Sequence, residues 1–281
     1  MAEQVGRSER IEDLETGFAG GFLFGIPLIY TMEAWDVGAS IEPWLLAIFF
    51  IAVLAVNIVL IRISGFKDEK ARRFPLAEAI EAMAIGIVGC AVVLLIIDRV
   101  NFSTSPDVWV GRVLIESIPF SLGVCISNLL LKHRGDTRLG ERDDGGQTET
   151  QALLSDVGAT MVGAAFVSYA ISPTDEIDLL ASALGPLHMM WLVVFSLVAS
   201  FVIVFQSEFS NAQGRRSQPG AFQQPITETV LAYVVSLLIA TFLLLAFNQI
   251  EASNHWRVTL DHVLVLGLPA AIGGAAGRLA V

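Results

Sequence analysis

Cysteine is nearly absent: Cys90 and Cys125 are the only two in 281 residues. That excludes a disulfide framework and a cysteine-rich zinc or iron–sulfur centre. Both fall mid-span and read as inert core residues. Charge is scarce as well. Asp, Glu, Lys and Arg make up 16% of the chain, against about 25% in an average soluble domain. Base is the scarcer sign, with 17 Lys and Arg against 28 Asp and Glu, a net charge of −11. No nucleic acid partner is expected of such a chain. Lysine is missing from every apolar run, since Lys67, Lys70 and Lys132 all lie at span ends; a retinal Schiff base is excluded. P-loop, H-E-x-x-H, G-x-S-x-G and T-V-G-Y-G patterns are absent too. We therefore expect neither an enzyme nor a cofactor. A haem held by His188 and His262, or a hydrolase using Asp261 and His262, is a weaker alternative.

What is present is apolar sequence. Hydrophobic residues make up 54% of the chain, and they lie in runs of bilayer-crossing length, roughly 20 residues. Eight runs qualify: Gly17 to Trp35, Pro43 to Ile63, Leu76 to Ile97, Val108 to Leu131, Ala152 to Ser172, Ala183 to Phe205, Ile226 to Phe247, and Thr259 to Val281. The expected fold is an all-α polytopic membrane bundle of about eight transmembrane helices. The first span is no cleaved signal peptide, because Glu9, Glu12, Asp13 and Glu15 precede it. The longest loop, Lys132 to Thr150, is polar and too short for a soluble domain. Any activity is thus expected in the bundle.

Of the 17 basic residues, 14 fall at one end of the spans, from Arg7 and Arg10 to Arg278. We call this the basic end and the other the acidic end. The positive-inside rule makes the basic end cytoplasmic, with both termini there. Trp35, Trp44, Trp109 and Trp256 fall near the acidic end, as an interfacial belt would.

The halves resemble each other. At a shift of 142, Gly21 meets Gly163, Phe24 meets Phe166, Glu33 meets Asp175 and Asp36 meets Asp178. At a shift of 150, Glu78 meets Glu228, Ser103 meets Ser253, Pro119 meets Pro269 and Gly123 meets Gly273. We read residues 1–131 and 151–281 as two four-helix repeats, joined by the polar loop 132–150. An even number of spans makes such repeats parallel, with a site expected where they meet. Pro119/Gly123 and Pro269/Gly273 read as paired helix kinks.

The acidic end is rich in carboxylates: Glu33, Asp36 and Glu42 in its first loop, Asp98 and Asp107 in the second, Asp175, Glu176 and Asp178 in the third. Such clusters attract cations and ligate hard ones through oxygen; the opposing reading is a solvated rim. Glu116 is the sharpest single residue. It lies about two turns inside Trp109, about 10 Å deep at 1.5 Å per residue. An ionisable group at that depth is a functional hypothesis by default. Its opposing reading is an ion pair with Arg112, four residues back on the same helix face. Glu78 and Glu228 open spans as dipole-compensating acids, while Glu81, a turn deeper, is placed to line an inner vestibule. Gly17/Gly21 and Gly158/Gly163 read as close-packing faces.

The segment Tyr30-Thr-Met-Glu-Ala-Trp35, preceded by G-F-A-G-G-F-L-F-G-I-P, resembles the first helix of an uncharacterised bacterial family of integral membrane proteins, which reads Y-T-M-E-x-W after a glycine-rich stretch. Ala34 stands where a bulkier residue is expected. The resemblance implies a bacterial inner-membrane protein, assigns no catalytic residue, and makes Glu33 the first to test.

Together these readings predict an inner-membrane cation transport protein, channel or proton-coupled carrier. Glu33, Asp36, Asp175 and Asp178 would form its mouth, with Glu116 and Glu81 on the path. The expected partners are the bilayer, an inorganic cation (calcium or protons foremost) and further copies of the chain. The alternative is a non-transporting scaffold.

Overall fold

The computed structural model describes residues 2–63, 74–126, 149–208, 225–251 and 255–279. The polar loop, residues 132–148, and the basic residues between the sixth and seventh spans lie outside them. Among the described residues every element is a helix, and the chain divides into two compact units, Met1–His133 and Arg134–Val281.

The first unit holds α1 (Ala2–Leu28), α2 (Met32–Ser40), α3 (Pro43–Ile63), α4 (Pro75–Ile96) and α5 (Pro106–Cys125). The second holds α6 (Glu149–Tyr169), α7 (Glu176–Ala183), α8 (Pro186–Glu208), α9 (Pro225–Ala246) and α10 (Trp256–Leu279). Proline opens α3, α4, α5, α8 and α9, where its missing N–H costs nothing and its fixed φ suits the first turn. Helices α3, α4, α5, α8, α9 and α10 are long and apolar enough to cross a membrane. The first expected span is not one straight helix: α1 and α2 meet at 95°, and together they satisfy the same criteria as a broken span or a re-entrant loop. The break falls at Ile29–Thr31, and the indole Nε1 of Trp35 donates to the Ile29 carbonyl at 2.8 Å. That bond satisfies a carbonyl which the end of α1 would otherwise orphan.

The two units share one internal plan. Each runs long helix, short helix, then three long helices. In the first, α5 packs on α1, α2, α3 and α4, and α4 also packs on α1 and α3. In the second, α10 packs on α6, α7, α8 and α9, and α9 also packs on α6 and α8. Chain reversal after α4 and α9 is the same motif. Asp98 and Asn248 have φ of 53° and 55°. Arg99 N–H donates to Leu94 O and Asp98 N–H to Leu95 O; Gln249 N–H donates to Leu244 O and Asn248 N–H to Leu245 O. These are Schellman caps, closed by the non-glycine residues that best tolerate the left-handed region.

Glycine permits close helix approach in each unit. A Cβ on Gly123 of α5 would lie 3.1 Å from Gly21 Cα of α1. A Cβ on Gly273 of α10 would lie 2.7 Å from Val167 Cβ of α6 and closer still to Gly163 O. Small residues there let backbones touch, and dispersion replaces the hydrophobic effect that lipid does not supply. Gly158 takes no part, since a Cβ on it meets nothing within 4 Å. The outward faces are apolar: on α3, Ile48, Ile51 and Val59 are exposed, while Asn57 and Ile61 turn inward.

Candidate functional site

The polar residues of the first unit gather along α5. Glu116 is buried, 2% exposed, and its Oε1 has no hydrogen-bond partner among the described residues. A buried unsatisfied polar group costs about 1–3 kcal/mol, and more if charged. The ion pair weighed against it is not formed. Arg112 turns toward the acidic end, where its Nε donates to Trp35 O at 3.3 Å and its Nη1 to Arg99 O at 2.6 Å. Pro119 follows Glu116 within the continuous helix. Its absent N–H leaves the Ile115 carbonyl without its helical donor.

Towards the basic end, the same side of α5 carries Ser117 and Ser121, both buried. Their hydroxyls donate to Leu114 O and Ile118 O, at 2.8 and 2.9 Å, leaving oxygen lone pairs free to accept. Asn57 of α3 uses one, its Nδ2 donating to Ser121 Oγ at 3.3 Å. Asn57 is wholly buried and its Oδ1 has no partner among the described residues. Gly86 of α4 makes room for this row: a Cβ there would lie 2.8 Å from Ser121 N and 3.1 Å from Ser117 O. On α4 the residues facing α5 recur every four positions. Glu78 is buried near Cys125, Gly86 lies on Ser117 and Ser121, and the Cys90 thiol donates to Val113 O at 3.6 Å. Glu78 and Glu116 thus bracket one buried interface.

At the acidic end α2 closes over α5. Gly38 lies on Arg112, where a Cβ would come within 2.7 Å of Arg112 Cα. The Arg99 guanidinium carbon stands 5.0 Å from the centroid of the Trp35 ring, a cation–π contact. Burial, and then the Arg112 charge, lower the Arg99 pKa from its ordinary value, with Asp98 opposing. Arginine stays protonated nonetheless, so two fixed positive charges sit between Glu116 and the acidic rim.

The expected mouth residues are distributed differently from Glu116. Glu33 and Asp36 are exposed on α2, and Asp175 is exposed at the start of α7. Asp178 is also exposed but bonded: its Oδ1 lies 3.2 Å from His262 Nε2, and His262 Nδ1 lies 2.8 Å from Val258 O. Glu81 is half-buried on α4. Asp98 belongs to a closed turn, accepting from Asn101 Nδ2 at 3.2 Å. Pro119, Gly123, Pro269 and Gly273 all lie inside continuous helices, with both glycines at helix contacts. No group of three or more His, Cys, Asp or Glu able to hold a metal occurs among the described residues. A shallow depression of about 370 Å³ lies near Asn101, Phe102 and Trp109, away from Glu116.

Asn57 escaped the sequence reading, although a lone amide within P-W-L-L-A-I-F-F-I-A-V-L-A-V-N-I-V-L-I-R-I is itself a signal. So did the part-buried pair of Arg278 and Glu228 at the basic end of the second unit, fifty residues apart in sequence.

The sequence model of a family described as "Putative integral membrane protein (DUF2391)" matches residues 13–281. The chain belongs to that family, in keeping with the resemblance carried by Y-T-M-E-A-W, and it is a multi-pass integral membrane protein. No curated protein and no solved structure gives a significant match.

Proposed function

We propose that this integral membrane protein moves a cation, most simply the proton, across the bacterial inner membrane, with its basic end in the cytoplasm. One observation carries the reading: a carboxyl group buried within the span of α5, its Oε1 without a hydrogen-bond partner among the described residues and the Arg112 guanidinium on the same helix turned away. A purely structural carboxyl at that depth would be paired or replaced. A single carboxyl with neutral oxygens suits a monovalent ion or a proton better than calcium, which takes six to eight oxygens. Glu33, Asp36 and Asp175 would concentrate cations at the rim without holding one. The shared plan of the two units supports descent from one duplicated unit.

The test is flux in proteoliposomes, with protons, sodium, potassium and calcium compared. Glu116→Gln should abolish the selective flux, and Glu33→Gln/Asp175→Asn should lower it severalfold in low salt only. Wild-type flux in a folded Glu116→Gln protein would sink the proposal. Absence of any flux would favour the scaffold.

A further inference from the structure

The geometry points to a proton path that lies inside the first unit, between α4 and α5, with the second unit as a copy that has lost it. This rests on the transport reading of Glu116. Two buried oxygens without hydrogen-bond partners among the described residues, Glu116 Oε1 and Asn57 Oδ1, flank the α5 row of Ser117 and Ser121. Asn57 reaches that row directly through Ser121. Unfilled acceptors buried away from water are places for a donor, and a protonated carboxyl is one. Glu78 closes the row at the basic end, buried on α4 beside Cys125. The proton that makes Glu116 a carboxylic acid leaves the Glu78 carboxyl. Glu78, left as carboxylate, is reprotonated from the basic side. No other reactant is consumed. Arg112 and Arg99, tied to Trp35 and to each other, bar the far end while α2 lies on α5. Fixed guanidinium charge is an effective barrier to protons and cations in a narrow path.

The second unit has the same frame without the acid, though it buries hydroxyls of its own, among them Ser196, Ser200 and Ser236. By the shift of 150, Glu116 becomes Leu266, Ser117 becomes Gly267 and Ser121 becomes Ala271. Asn57 becomes Ser200 at a shift of 143, the shift that pairs Pro43 with Pro186 at the starts of α3 and α8.

The experiment follows proton exchange at Glu116 in the full protein, reconstituted in phosphatidylethanolamine–phosphatidylglycerol vesicles. The infrared band of its protonated carboxyl, assigned by its loss in Glu116→Gln, is timed after transfer to D2O. Ser121→Ala and Asn57→Leu should slow the exchange tenfold or more and lower pyranine-detected proton flux in parallel. Ser121→Thr, which keeps the hydroxyl, should exchange at the wild-type rate, as should Ser200→Ala in the second unit. Wild-type exchange in both Ser121→Ala and Asn57→Leu would overturn the path while leaving Glu116 as the transport site. Slowing by Ser200→Ala as large as by Ser121→Ala would overturn the restriction to the first unit. Flux unaffected by Glu116→Gln would remove the transport reading beneath both.

Discussion

Asp98 and Asn248 hold the left-handed conformation that ends α4 and α9. An L-residue there places Cβ against a carbonyl, at about 1–2 kcal/mol, which glycine avoids. We expect Asp98→Gly and Asn248→Gly to hold or raise the thermal midpoint in detergent. Asn248→Val should lower it by the equivalent of about 1–2 kcal/mol, since β-branching worsens the same clash. A midpoint unchanged by Asn248→Val would show that the cap does not limit stability. The Glu228–Arg278 pair is a different kind of residue-scale feature. Its side chains are 18% and 6% exposed, so removing one partner strands a charge. Arg278→Ala should cost about 3–5 kcal/mol, whereas Glu228→Gln/Arg278→Met should recover most of it. Urea or thermal unfolding of the three proteins checks this, and equal losses in single and double variants would contradict it. The pair was not legible in sequence because nothing local links position 228 to 278; only the packing of α9 on α10 brings them together.

At the scale of elements, one residue type has opposite consequences at two sites. Gly273 and Gly158 both lie in helices, where Ala is favoured over Gly by about 1 kcal/mol. On α6, Gly158 faces open space and Gly158→Ala should raise the thermal midpoint or leave it unchanged. On α10, a Cβ at position 273 would strike Gly163 O and Val167, so Gly273→Ala should lower the midpoint by several degrees. The same midpoint shift for both variants would refute the assignment of α6–α10 as a glycine contact. Sequence marked Gly158 and Gly163 alike because composition does not say which face turns inward. It placed most long helices within a few residues, since an apolar run bounded by proline or charge leaves little choice: Pro43–Ile63 is α3 as read. It did not see the break at Ile29–Thr31. Hydropathy is blind to direction, and the turn there depends on Trp35 reaching back to Ile29. The Y-T-M-E-A-W motif is thereby explained without Glu33: Tyr30 and Trp35 are buried, each at 2%, and Glu33 faces out.

For the whole molecule, the shared plan of the units and their unequal chemistry have to be explained together. Matching acids and prolines in sequence suggested a symmetric site between halves. The row that holds Glu116 lies within the first unit, and its members lie on three helices that no local pattern connects. Glu116 was legible because charge at membrane depth is rare; Asn57 was overlooked because an amide carries no charge. The second unit keeps the frame without the buried acid, and whether the acid alone makes the difference can be tested by moving it. Glu116→Leu/Leu266→Glu restores the acid count but places the carboxyl beside Gly267 and Ala271, with Ser200 where Asn57 would be. We expect this protein to fold and to transport no better than Glu116→Leu alone, in the same proteoliposome assay. Adding Gly267→Ser, Ala271→Ser and Ser200→Asn should recover part of the flux if the row itself, and not its unit, is the requirement. Flux restored by the two-residue exchange alone would mean that both units still hold a competent path, and the asymmetry argued from the serine and asparagine positions would fall.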